Sequence, residues 1–221
     1  MSTELAIQHT QPQTAFANIE GFEAAQRMAV ALVSSDLVPE QFRGKDKLGN
    51  ALIALELSQR IGASPMAVMQ NLNIIHGKPS WSSTFIIAAL NSCGRFSPIR
   101  FKVEGSGDNA TCVAWAYDKA TGEVLEGPAS SIAMAKAEGW LTKNGSKWKT
   151  MPDLMLRYRA AAFFGRLYAP DILSGMQTAE EVRDNANTLK TQKFSDINSR
   201  LELPEVKVEQ REQTQEQEDW E

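Results

Sequence analysis

Five basic side chains gather in the stretch KWKTMPDLMLRYRAAAFFGRLYAPD, which runs from Lys147 to Asp171. They are Lys147, Lys149, Arg157, Arg159 and Arg166, in a chain whose formal net charge is -4. Pro152 can open a helix and Pro170 can stop one. On a helix turning about 100° per residue, Arg159 and Arg166 lie about 20° apart. Ala162 and Phe163 fall between them, and Arg157 points the opposite way. The spacing predicts a two-point basic stripe over small residues, extended by Lys143, Lys147 and Lys149 in the preceding loop. Trp140 and Trp148 bracket those lysines. Cations interleaved with ring faces suit a single-stranded nucleic acid, whose phosphates take the charge and whose bases stack. The plain alternative is a basic face that is solvated or paired with nearby acids, with Trp148 as a hydrophobic staple.

Other residues offer the same chemistry more weakly. GKPSW pairs Lys78 with Trp81, which equally describes a surface lysine and a buried tryptophan. Arg100 and Lys102 alternate with Ile99, Phe101 and Val103. They belong to an exposed strand face or to one wall of a basic groove. Met155, Leu156, Phe164 and Tyr168 read as core.

The residues that most enzymes need are sparse. His9 and His76 are the only histidines, so a His-based triad or His-ligated metal site is not expected. No G-x-x-x-x-G-K-[ST] motif occurs. EGSGDNA, Glu104 to Ala110, lies between strand-like segments and reads as a hairpin turn. Cys93 and Cys112 lack metal spacing and read as reduced core residues of a cytoplasmic protein. No enzymatic activity and no cofactor are expected, and nothing in the residues calls for magnesium. No apolar run is long enough to span a membrane, and no targeting segment is expected at the start.

These residues must be positioned by an α+β fold. The periodicity predicts a polar leader over 1–18, a single domain over 19–185 and an acidic tail over 186–221. Phe22, Ala25, Met28, Ala29 and Leu32 form the apolar stripe of a first helix. NALIALELSQRIG gives a second, closed by Gly62, and Ser64 caps a short third. NIIHGKPS reads as a strand and turn, and WSSTFIIAALNSCG as a buried helix. SPIRFKVEG, NATCVAWAYDK and GEVLEGPAS read as an antiparallel meander of about three strands. A short helix ending at Gly139 follows, then the long basic helix, then TAEEVRDNA with Thr178 as N-cap and Glu181 three residues on. The tail carries much of the negative charge, so the domain itself is close to neutral. The tail, ending EQEDWE, reads as a solubilising segment, or as a competitor for the basic groove.

Trp148, Pro152, Met155, Leu156, Arg159 and Ala160, spaced W-x-x-x-P-x-x-M-L-x-x-R-A, with Arg166 seven beyond and TAEE downstream, resemble the C-terminal core motif of phage single-strand annealing proteins of the RecT/Redβ superfamily. IALELSQRIGASPM is similar to their helix followed by Gly-x-x-Pro. GKPSWSSTFIIAAL resembles the segment in which Trp-Ser opens a buried helix. The order matches over about residues 45–185, and the chain looks like the enterohaemolysin-associated branch. The resemblance implies ATP-independent binding and annealing of single-stranded DNA in phage homologous recombination, in the bacterial host cytoplasm. It also implies homo-oligomeric rings or filaments, with a phage exonuclease and the host single-strand-binding protein as partners. Family DNA contacts fall on Arg159 and Arg166, whereas Asp153 and Leu154 stand where relatives often carry basic residues. On this reading, alanine at both arginines leaves the fold intact and weakens binding of any single strand. Two alternatives are a membrane-active, haemolysin-associated protein and a non-catalytic assembly scaffold that keeps the annealing fold.

Overall fold

The computed structural model of the chain describes residues 16–185. The expected leader, apart from residues 16–18, and the expected tail lie outside the described residues. The fold is α+β, as the alternation of periodicities predicts. Helix α1 (Ile19–Val33) starts where the Asn18 side chain accepts a hydrogen bond from the Gly21 amide at 2.7 Å. Its buried stripe is Ala25, Ala29 and Val33. Phe22 and Met28, expected in that stripe, are exposed, and small residues every fourth position let α1 lie close against α2 (Leu48–Ile61). Gly62 ends α2 in the left-handed region at φ 66°, a conformation that disfavours any side chain. Ser64 caps α3 (Pro65–Asn71).

NIIHGKPS forms more than the expected strand and turn. His76 and Gly77, at φ 50° and 75°, make a tight turn between β1 (Leu72–Ile75) and β2 (Lys78–Trp81). The Ser82 hydroxyl then caps α4 (Ser83–Ser92). Strands β3 (Arg100–Glu104), β4 (Thr111–Tyr117) and β5 (Val124–Glu126) form the expected antiparallel meander. A fourth strand, β6 (Ser130–Ser131), pairs with the start of β4. It is two residues long, too short to leave an alternation in the sequence. Helix α5 (Ile132–Ala137) follows, then the single turn α6 (Lys147–Thr150), the long α7 (Pro152–Tyr168), the short α8 (Pro170–Leu173) and α9 (Ala179–Asn185).

Strand β4 turns Cys112, Ala114 and Ala116 inward, all buried, against α7. These small side chains, with Ala160 and Ala161 of α7, allow helix and sheet to approach closely. Helix α4 packs on α7 as well. The Ser130 hydroxyl reaches the Leu156 carbonyl at 2.8 Å and fastens β6 to α7. None of the described helices is long and apolar enough to cross a membrane.

Gly127 marks the tightest approach of the sheet's margin to α7. A Cβ there would meet the Phe164 Cα and Cβ at 3.1 Å, and this backbone belongs to a helix packed on both sides. Gly127→Ala is therefore expected to destabilise the fold by about 1–3 kcal/mol through overpacking. Urea unfolding checks this, and an unchanged midpoint would mean that α7 has room to shift.

Candidate nucleic-acid interface

The helix expected to carry an open basic stripe instead buries its central cation. Arg159 is 4 % exposed. Its Nη1 donates to Glu181 Oε1 at 3.1 Å and its Nη2 to Asp184 Oδ2 at 2.5 Å. The guanidinium lies 3.9 Å from the centre of the Trp140 ring and 5.8 Å from that of Trp148. Arg166 is half-buried, donates to the same Glu181 carboxylate and lies over Phe163. The geometric premise holds, since both arginines share one face of α7. Their exposure does not hold, because α9 covers that face with two carboxylates. TAEE supplied the sign of this: its second Glu closes the capping box and also faces α7.

The capping box explains how one carboxylate serves both ends. Glu181 Oε2 accepts from the Thr178 amide at 2.9 Å and from its hydroxyl at 3.1 Å. The Glu181 amide donates back to that hydroxyl at 3.0 Å. Oε1 is left for the two guanidiniums. Burial pushes the Arg159 proton affinity down, and Glu181 and Asp184 oppose that. Burial also pushes the Asp184 carboxyl above the usual carboxylate range, opposed by the Trp148 indole and then by Arg159 and Lys143.

Neither predicted stacking tryptophan offers a ring to solvent. Trp148 is 1 % exposed and donates from Nε1 to Asp184 Oδ2 at 2.9 Å. Trp81 is fully buried, stacks on Phe85 and donates to the Leu173 carbonyl at 3.2 Å. Both rings fill the core with the indole N–H on an internal acceptor, and Trp140, 5 % exposed, is buried as well. Arg157 is half-buried and returns a hydrogen bond to the Asp153 carbonyl in its own helix. Lys78 is exposed, at the start of β2.

The lysines of the loop remain open. Lys147 and Lys149 are exposed and form no ion pair among the described residues, and the exposed Arg183 side chain forms none there either. Lys143 donates to the Arg183 carbonyl at 3.2 Å, which fixes the loop beside α9. A cavity of about 540 Å³ is lined by this loop, with Lys143, Lys147 and Lys149 in its wall. A second, of about 180 Å³, shares Lys143 and Lys147 and adds Arg183 and Asp184. Four cations thus converge where the only carboxylates among the described residues are Glu180, held by Ser83, and Asp184, held by Arg159 and Trp148.

The sheet does not face the basic helix across a groove, because its inner side packs on α7. Arg100 and Lys102 lie on the outer side. There Arg100 stands opposite Trp115, and Lys102 opposite Val113. Lys102 pairs with Glu104 at 2.8 Å, whereas Arg100 has no ion pair among the described residues. Trp115 and Tyr117 meet edge to face at 5.5 Å, and Tyr117 is exposed. These ring faces were missed in the sequence. The alternation of β4, Thr111-Val113-Trp115-Tyr117 against the small inward residues, was the signal that could have found them.

The chain matches no family model, no curated protein and no solved structure.

Removing the Arg159 side chain would strand two carboxylates in the protein interior. Arg159→Ala is therefore expected to destabilise the fold by about 3–5 kcal/mol, the scale for breaking a buried ion pair. Arg166→Ala, at the edge of the same cluster, should cost much less. Urea melts of the two single variants test this, and similar midpoints would contradict the network described.

Proposed function

We propose that the protein binds single-stranded DNA without ATP and anneals complementary strands, with the lysine loop, not the arginines of α7, as the anchor. The observation that carries this is the convergence of Lys143, Lys147, Lys149 and Arg183 on two adjoining cavities, with no ion pair to Lys147, Lys149 or Arg183 among the described residues. Cations already neutralised by buried acids have little to offer a phosphate. Cations facing an open cavity release counterions when a phosphate arrives, which is the sequence-independent part of nucleic-acid affinity. The exposed Tyr117, with Trp115 and Arg100 beside it, offers the ring faces that Trp148 and Trp81 do not. The resemblance of the Trp-Pro-Met-Leu-Arg segment to annealing proteins of the RecT/Redβ superfamily points to the same ligand class.

Annealing needs no acid, base or nucleophile. A strand held by its phosphates keeps its base edges outward, and a second strand pairs with them. Base pairing supplies the driving force, and the cations screen the repulsion between two polyanions. Assembly of several copies along one strand, and association with an exonuclease or a single-strand-binding protein, belong to this proposal.

Annealing of short complementary oligonucleotides, followed by fluorescence, tests the activity directly. For the site, the triple variant Lys143→Ala/Lys147→Ala/Lys149→Ala is expected to fold normally and to bind single strands of any sequence more weakly. The slope of log affinity against log salt should become shallower by about 0.7 for each lost phosphate contact, hence by about 2 for three. A folded triple variant with unchanged affinity and slope would remove the loop from the site, and no binding by the wild-type chain at low salt would sink the function.

A further inference from the structure

Helix α9 is placed between two openings. At its Asp184 end lies the smaller cavity of the lysine loop, whose wall includes the Asp184 carboxylate itself. At its Glu181 end lies Arg166, which lines an apolar cavity of about 470 Å³ together with Met134, Phe163 and Leu167. Beneath α9, Arg159 lies on the Trp140 ring, and the buried Trp140 indole N–H has no hydrogen-bond partner among the described residues. A cationic, aromatic path along α7 is thus closed at its middle by one short helix.

The two carboxylates of α9 are held differently. Glu181 is fixed by the capping box with Thr178, and the segment before α9 is tied to β2, where the Trp81 amide donates to the Gln177 carbonyl at 3.0 Å. Glu180 accepts from the Ser83 hydroxyl at 2.7 Å. The first turn of α9 is therefore anchored. Asp184 lies in the last described turn, and the ties there are ionic and polar: Arg159 at 2.5 Å and the Trp148 indole at 2.9 Å on the carboxylate, and the Lys143 ammonium on the Arg183 carbonyl at 3.2 Å. Two donors converging on one oxyanion beside three further cations is a site suited to a phosphate oxygen.

Resting on the reading of the lysine loop as a strand anchor, we propose that Asp184 is an internal stand-in for a strand phosphate. A strand seated on Lys143 and Lys147 brings negative charge into the cavity that Asp184 lines. Repulsion then favours release of Asp184 from Arg159 and Trp148, and a phosphate takes the place of the carboxylate on them. The exchange is of like for like, so Arg159 never lies bare. The turn that carries Asp184 acts as a plug that keeps the arginine site shut until a polyanion of sufficient length occupies the loop.

The substitution Asp184→Asn tests this, because it keeps an acceptor for Trp148 and Arg159 and removes the negative charge. Fluorescence anisotropy of a labelled oligonucleotide with the full chain is expected to show affinity raised by about fivefold or more, the lower end of typical coupling between linked equilibria. A folded variant with equal or weaker affinity overturns the plug and leaves the loop reading standing. Hydrogen exchange of the wild-type chain is a second measurement that does not depend on the variant folding. Amides of Val182 to Asn185 should exchange faster with saturating oligonucleotide, and unchanged or slower exchange overturns the plug. Binding by neither chain overturns both readings.

Discussion

A single guanidinium, Arg159, organises the C-terminal half of this domain. It is buried against two tryptophan rings and neutralised by Glu181 and Asp184. A charge removed from water needs partners of opposite sign at hydrogen-bond distance, or it costs several kcal/mol. That requirement brings α9 onto α7 and sets the position of the loop before α6. The loop is held in turn, through Lys143 to the Arg183 carbonyl and through the Ser146 hydroxyl, which donates to the Trp140 carbonyl. The open lysines and the closed arginines are therefore two consequences of one buried ion cluster.

The cluster also explains why net charge is a poor guide to the binding surface. Residues 186–221 contain five Lys/Arg and nine Asp/Glu, which accounts for the whole formal charge of -4. Within the described residues, half of the cations are matched locally, among them Arg60 with Glu56, Arg95 with Asp171, Lys136 with Asp108, and Arg159 with its two acids. What distinguishes the loop is the clustering, with three lysines in a stretch that contains no acid from Lys143 to Met151. Local imbalance, not the total, decides where a polyanion gains by binding.

Helix α7 was legible in the sequence because its signals are local: Pro152 at its start, Pro170 after its end and apolar residues at helical spacing. The capped α9 was legible through Thr178 and Glu181, and the inward face of β4 through its alternating small residues. The fate of Arg159 was not legible, since helical spacing fixes which residues share a face but not what covers that face. The partners Glu181 and Asp184 lie more than twenty residues downstream, and only the tertiary approach of α9 reveals that they serve α7. The same limit applied to the tryptophans. A Trp beside lysines has the same pattern whether its ring stacks on a base or, like Trp148, fills the interior with its indole N–H on an acid.

Four cations around two small cavities also constrain how such a protein would hold a long strand. Each phosphate neutralised on a single strand contributes only about 0.7 to the salt slope, so one copy of the loop supplies a weak, quickly reversible anchor. Weak anchoring suits annealing, because a strand held too firmly could not adjust its register against its complement. Persistence must then come from number. Several loops engaged along one strand raise the effective local concentration of each contact and multiply the affinity without strengthening any single one. The buried arginine cluster complements this arrangement. With Arg159 matched internally at the start, the domain would first present a strand with the exposed Lys147 and Lys149, whose long stems can follow a backbone that is being paired.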